Sequence, residues 1–229
     1  MKTAAERIAF VEAHALVDRA PLLPELRLRL ATESTALWQV TEAWLHQRDV
    51  PPPFWAFPWA GGQALARHVL DHPELVRGRR VVDFACGGGL VGIAAALSGA
   101  ERVLAIDVDP LALTASSLNA ELNGVRLELD GQDRVGPSLR GYEVLLAGDV
   151  FYERAPAERF VRWFRRLVRA GMEVYVGDPE RHYLPAGLEL VQRYEVPTSA
   201  ELEGRTSKRG TVYRVPAYAP SSRPKRRST

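Results

Sequence analysis

The sequence predicts a doubly wound parallel α/β fold with a helical N-terminal extension. Three observations carry that prediction. Strands and helices alternate from Arg80 onward, a glycine-rich turn joins the first of those strands to its helix, and the last two strands follow one another with no room for a crossover helix. Residues 3–19 place Ile8, Val11, Ala15 and Leu16 near helical spacing, so the chain is expected to open with a helix. Leu26-Arg27-Leu28-Arg29-Leu30 alternates strictly and reads as a short half-buried strand. Leu37, Val40, Trp44 and Leu45 return to helical spacing, and Pro51-Pro52-Pro53 stops that helix. An aromatic, charge-poor segment follows, Phe54-Trp55-Ala56-Phe57-Pro58-Trp59, and then a helix from Gly62 to about Leu70.

From there the pattern is regular. Val81-Val82-Asp83-Phe84 is a strand, Leu90 to Leu97 a helix ended by Gly99, and Val103-Leu104-Ala105-Ile106 a second strand. Asp109-Pro110 is an N-cap with proline at the first helical position, opening a helix to about Leu122. Val125 to Leu129 is a third strand and Val144-Leu145-Leu146-Ala147 a fourth, apolar enough to be covered on both faces. Pro156 starts a helix that turns Phe160, Trp163, Phe164, Leu167 and Val168 inward. Glu173-Val174-Tyr175-Val176 is a fifth strand, and Leu188 to Val196 with Thr211 to Val215 make the closing antiparallel pair. Seven strands ending in such a hairpin have the layout of Rossmann-like methyltransferases, with the last strand inserted antiparallel beside the fifth. The expected domains are an N-terminal cap over 1–60, a catalytic domain over 61–217 and a disordered basic tail over 218–229.

Composition bounds the function. The 229 residues carry 30 basic and 28 acidic side chains, a net charge of +2, so global charge gives no reason to expect a nucleic-acid partner. Lys2, Lys208 and Lys225 are the only lysines. The single cysteine, Cys86, excludes an internal disulfide and a cysteine-rich zinc site. No apolar run approaches the ~18 residues of a membrane span. Residues 1–15 carry Glu6 and Glu12 and match no targeting pattern, so a reducing, cytoplasmic setting is expected.

The turn Asp83-Phe84-Ala85-Cys86-Gly87-Gly88-Gly89-Leu90 brings backbone close to a ligand and opens a helix with free N–H groups. Asp107 closes the second strand, where an acid can accept both hydroxyls of a ribose. Two cofactors compete. Gly87-Gly88-Gly89-Leu90-Val91-Gly92 satisfies a dinucleotide pattern, which alone is weak. Asp83, Ala85, Gly87 and Gly89 instead form an acid followed by small residues at alternate positions, the S-adenosylmethionine pattern. An acid repels a pyrophosphate and suits a ligand with a sulfonium and an ammonium group, so S-adenosylmethionine is favoured. Asp133, four residues past Leu129, is either an acceptor for an adenine amino group or a surface loop acid. At the end of the fourth strand, Gly148-Asp149-Val150-Phe151-Tyr152 sets an acid and two aromatics where open α/β sheets bind ligands. Carboxylate and ring faces together suit an amine. Asp149, Phe151 and Tyr152 are therefore the catalytic candidates.

Together these motifs resemble the seven-strand, family 16 protein-lysine methyltransferases. The resemblance runs from about residue 25 to residue 216, through Pro52-Pro53-Phe54-Trp55-Ala56-Phe57-Pro58-Trp59-Ala60-Gly61-Gly62, Asp107-Val108-Asp109-Pro110, Gly148-Asp149-Val150-Phe151-Tyr152 and Gly177-Asp178-Pro179-Glu180-Arg181. It implies that Trp59 lies against the cofactor, that Asp149 meets a substrate lysine, and that residues 177–181 line the same rim. Within the family the resemblance is closest to members acting on the electron transfer flavoprotein β-subunit. That implies a protein partner of this kind, no metal, no membrane or nucleic-acid partner, and a monomeric enzyme. Ala85 stands where a first glycine is usual, which suits a turn that needs no positive φ there, and Pro58 replaces an aromatic in one pocket wall. A small-molecule methyltransferase, a nicotinamide oxidoreductase and a catalytically silent binding module are the competing readings. His68 and His72, four apart on a helix, lack a third metal ligand. Arg159, Arg162, Arg165, Arg166 and Arg169 read as a solvated helix face.

Overall fold

A computed structural model describes residues 3–31, 53–198 and 206–217. The helix expected around Leu37 to Leu45 and the basic tail lie outside the described residues. Helix α1 (Ala4–His14) opens with a capping box in which Thr3 and Glu6 exchange side-chain and backbone hydrogen bonds. It stops at Ala15, whose backbone is extended, well short of residue 19. Leu16–Ala20 instead forms strand β1, paired antiparallel with β2 (Leu23–Leu30) in the register Leu16↔Leu30. Leu16, which fitted the helical spacing, is exposed, so a near-helical apolar pattern was insufficient to extend α1 through the strand. The alternation of β2 is as expected: Leu26, Leu28 and Leu30 are buried, while Arg27 is exposed.

The main sheet has the order β5-β4-β3-β6-β7-β9-β8. Its strands are β3 (Arg80–Phe84), β4 (Arg102–Ile106), β5 (Glu128–Asp130), β6 (Val144–Gly148), β7 (Glu173–Asp178), β8 (Glu189–Pro197) and β9 (Ser207–Arg214). The first five are parallel, and β9 runs antiparallel to both β7 and β8. The third core strand is shorter and later than expected, because β4 pairs only with Glu128, Leu129 and Asp130.

Period-two alternation divides the side chains between two layers. Val81, Val103, Val144 and Leu146 meet α2 (Ala60–Asp71), α3 (Leu90–Leu97) and the N-terminal hairpin. Val82, Ile106, Leu145, Val174 and Val176 meet α5 (Arg154–Arg169), which buries Trp163, Phe164 and Leu167. A third cluster holds Trp55, Ala56 and Phe57 between α1 and α4 (Pro110–Leu122). The backbone N–H groups of Arg27 and Arg29 donate to the side chains of Asn123, the C-cap of α4, and Asn119 within α4, which covers an edge of the hairpin.

The closest backbone approach positions the site. A Cβ on Gly61 would lie 2.5 Å from the Gly177 carbonyl oxygen, and one on Gly148 would lie 2.8 Å from Gly62 Cα. A Cβ on Gly177 would overlap the Gly61 carbonyl oxygen. The start of α2 thus rests directly on the ends of β6 and β7. Gly177→Ala is expected to cost at least the ~1–3 kcal/mol typical of overpacking, since the obstructing atom is backbone. A urea midpoint for the variant equal to that of the parent chain would show that the contact can relax.

Candidate active site

The strands β3, β4, β6 and β7 end on one side of the sheet, around a cavity of about 520 Å³. Its lining includes Trp59, Ala85, Gly87, Asp107, Asp149 and Tyr152. A smaller cavity of about 70 Å³ shares Trp59, Ala85, Gly87 and Asp149 and adds Asp83, Cys86 and Gly62.

The glycine turn is anchored from beneath. Asp83 is 1% exposed, and its Oδ2 accepts from Gly92 N at 2.7 Å, in the first turn of α3. Burial pushes its carboxyl up to about 7. Gly87 N donates to Asp107 Oδ2 at 2.9 Å, and Asp109 N donates to Asp107 Oδ1 at 2.9 Å. Burial also raises the carboxyl of Asp107, and it pushes the carboxyl of Asp109, which caps α4 through Leu111 N, up to about 6. Gly87 and Gly89 have φ of 52° and 80°, and a Cβ on Gly89 would lie 2.7 Å from Ser116 Oγ. The turn is held on its outer side by Asn119, whose Nδ2 donates to Gly88 O at 2.9 Å, and by Ser116, which donates to Gly87 O at 3.0 Å. The sequence reading missed both residues. Their signal was two polar side chains three apart on an otherwise apolar helix face.

Ala85 has φ of 53°, so the turn does need a left-handed residue there, contrary to the expectation from sequence. Its methyl group opens onto the cavity, which removes one steric objection but not the intrinsic preference of L-residues against this conformation. Asp149 and Glu180, at φ of 57° and 63°, are the other non-glycine residues with positive φ among the described residues. All three follow carboxyl ends of sheet strands at the site. Such backbone is retained where surrounding contacts over-determine it.

Asp149 is buried. Its Oδ2 accepts from Gly62 N at 2.6 Å, at the start of α2, and its Oδ1 accepts from Arg181 Nη2 at 2.9 Å. Arg181 also lies over the Trp59 ring, with Cζ 5.9 Å from the centroid. Trp59 donates its indole N–H to Phe54 O at 2.9 Å, and its half-buried ring forms cavity wall. Phe151 does not reach the site. It is fully buried, and its ring sits 6.4 Å from Phe164 in the layer under α5. The left-handed turn at Asp149 directs the chain so that Phe151 packs inward while Tyr152 stays half-exposed, 5.8 Å from Phe54 across the cavity mouth.

Asp133 lies at the rim, where Oδ2 accepts from Arg159 Nη2 at 2.7 Å and holds the carboxyl below its usual range. Arg159 therefore lines the cavity, and Arg165 and Arg166 donate to the carbonyls of Ala186 and Gly136, so the arginine face of α5 pins loops as well as meeting solvent. His68 hydrogen-bonds Tyr194, and burial lowers its pKa to about 4. Among the described residues no cluster of potential metal ligands occurs. No helix among them is long and apolar enough to cross a membrane.

A family model described as ribosomal protein L11 methyltransferase (PrmA) matches residues 64–147, the span from α2 to β6. The electron transfer flavoprotein beta subunit lysine methyltransferase of Xenopus laevis is 37% identical over 213 residues, covering 90% of this chain and 85% of that one. The protein of the same name from Danio rerio is 36% identical, covering 87% and 79%, and that from Homo sapiens is 34% identical, covering 90% and 80%. The solved magnesium protoporphyrin IX methyltransferase of Synechocystis PCC 6803 overlays with a TM-score of 0.48 at 19% identity, covering 68% of this chain and 79% of that one. Identity at this level over about nine-tenths of the chain places it in the family of electron transfer flavoprotein β-subunit lysine methyltransferases.

Proposed function

We propose that the protein transfers a methyl group from S-adenosylmethionine to a lysine side chain on the β-subunit of electron transfer flavoprotein. The observation that carries the reading is the junction of a glycine-cradled cavity with a carboxylate-and-aromatic end, Asp149 with Trp59 and Tyr152, in a chain of this family. The residues present fit the cofactor. The cavity is of cofactor size, Ala85 and Gly87 line it with no side chain larger than a methyl group, and Asp107 borders it with a carboxylate already oriented by two backbone N–H groups. Asp107 would hold the ribose hydroxyls, Gly87 would allow the close approach of the backbone, Gly89 would support the turn from behind by packing on Ser116, and Asp83 would lie under the amino-acid end in the smaller cavity. Ala85 and Trp59 would flank the ligand. Asp133 would sit near the adenine, although its pairing with Arg159 makes it the weakest member of this set.

When bound, S-adenosylmethionine supplies an electrophilic methyl carbon, whose bond to sulfur breaks as the lysine nitrogen bonds to it. The chain's contribution is alignment and exclusion of water, which together reach ~7–11 kcal/mol in well-oriented systems. Asp149, fixed by Gly62 N and Arg181, would orient the amine by accepting an N–H, and Tyr152 and Phe54 would enclose the aliphatic stem of the lysine. The second catalytic candidate, Phe151, supports this rim only through the packing beneath it. The lone thiol Cys86 supports a reducing setting, and the net charge of +2 supports a protein partner over a nucleic acid.

Radiolabel transfer from S-adenosylmethionine to the purified subunit is the direct test. Label on a lysine is expected, with loss of turnover in Asp149→Asn, which keeps an acceptor for Gly62 N. Label on other proteins but none on the subunit would reject the substrate and retain the methyltransferase. Asp107→Ala is expected to weaken cofactor binding by the ~1.5–3 kcal/mol of a charge-assisted hydrogen bond, read by calorimetry. Unchanged affinity would remove Asp107 from the ribose site.

A further inference from the structure

Arg181 occupies the receptor that the site would offer to a substrate cation. Its guanidinium donates to Asp149 Oδ1 at 2.9 Å and covers the Trp59 ring, while Gly62 N takes Asp149 Oδ2. The arginine is held in place, since its backbone N donates to Asp178 Oδ1 at 2.7 Å. An amine entering the cavity therefore meets an ion pair in place of an unpaired carboxylate. We infer that Arg181 is a specificity-determining positioning residue, which remains on Asp149 during turnover and makes the site select the free-amine form of lysine over its ammonium. The inference rests on, and deepens, the lysine methyltransferase reading.

The physical argument concerns the nucleophile. A lysine amine attacks only after losing a proton, from a pKa near ~10.4 in water. A lone carboxylate with an aromatic face would favour the ammonium and work against the reaction. A guanidinium on the same carboxylate cannot be deprotonated and opposes a second cation beside it. A carboxylate offers about four acceptor sites in all, so a neutral N–H can share the Asp149 oxygens with the groups already on them. Other charged or titratable groups around this point are mostly acids. Asp178 ends β7 with its Oδ2 buried and without a hydrogen-bond partner, and burial pushes its carboxyl up to about 7. Asp83 ends β3 beneath the turn, Asp107 follows β4, Tyr152 and Glu153 precede α5, and α2 presents only backbone N–H groups at its start. Glu180 is engaged by Arg193 and Arg209 on the closing hairpin. The other arginines lining the cavity, Arg134 and Arg159, are paired with Asp130 and Asp133 at its far rim. Arg181 thus pairs with Asp149 at the substrate end.

The test compares the parent chain with Arg181→Gln, Arg181→Met and Arg181→Lys, using n-butylamine as a lysine side-chain probe in the presence of S-adenosylhomocysteine. Calorimetry between pH 7 and pH 9 is expected to show parent-chain affinity rising about tenfold per pH unit, because only the free amine binds. The Gln and Met variants are expected to bind the ammonium, with affinity nearly independent of pH, and Lys to restore the parent slope. The acid limb of kcat on the flavoprotein subunit is expected to move up by about one pH unit or more in Gln and Met, because those chains hold the lysine as its ammonium, whereas kcat/KM keeps the ionisation of the free lysine. Repeating the comparison with Asp178→Asn in every chain separates the amine from the neighbouring acid. The same pH dependence in all chains would overturn the inference. So would faster turnover at pH 7 in Arg181→Gln, which would make Arg181 a plug that substrate displaces. If the parent chain fails to label the subunit while the butylamine titrations differ as stated, the substrate assignment fails and the role of Arg181 stands.

Discussion

The seating of the first turn of α2 on the ends of β6 and β7 is the constraint on which the site depends. Three glycines, Gly61, Gly148 and Gly177, let backbone touch backbone there, and Asp149 closes the contact by accepting from Gly62 N. A carboxylate at a helix N-terminus is favoured by the free N–H groups and the helix dipole. Here it also fixes where Trp59, the residue before α2, places its ring. Without that contact the aromatic segment would lack its anchor on the sheet, and the two cavities would lose a common wall.

A second anchor holds the opposite wall. Asn119 joins the glycine turn to the N-terminal hairpin, donating to Gly88 O and accepting from Arg29 N. Gln63 on α2 makes a similar bridge, accepting from Leu22 N and donating to Pro58 O at 2.6 Å. The hairpin leucines enter the same core as α2 and α3, so the N-terminal strands brace both ends of the aromatic segment. Buried polar bridges of this kind are stabilising only when fully satisfied, and they specify one arrangement of the elements they join.

The electrostatic character of the site follows from these anchors. Asp83, Asp107, Asp109 and Asp178 all lie at or near carboxyl ends of strands, and burial raises each carboxyl. Backbone N–H groups donate to all four, and Arg181 pairs with Asp149 beside them. Such a site is suited to holding a cationic ligand while keeping a reacting amine uncharged, which are opposite requirements met at opposite ends of one cavity.

Much of this was legible in the sequence. The parallel core, the closing antiparallel pair, the Asp109-Pro110 cap and the positions of Asp83 and Asp107 at strand ends all follow from local periodicity, turn chemistry and spacing, which are encoded over a few residues. The resemblance of the aromatic segment and the post-strand acid placed the chain in its family. Local pattern could not decide the rest. Leu16 fits both a helix and a strand, and its pairing with Leu30 settled the matter across a turn. Phe151 and Tyr152 are adjacent aromatics, and only the left-handed backbone at Asp149, with the cavity on one side and α5 on the other, sends one inward and one outward. Ala85 takes a conformation its residue type disfavours because the turn is pinned on both sides. Arg181 lies 32 residues from Asp149, and its meeting with that carboxylate exists only because β6 and β7 are neighbours in the sheet. Periodicity and turn residues therefore determined the elements and their order, whereas the partners of each charged or aromatic side chain were decided by long-range packing, which no local pattern contains.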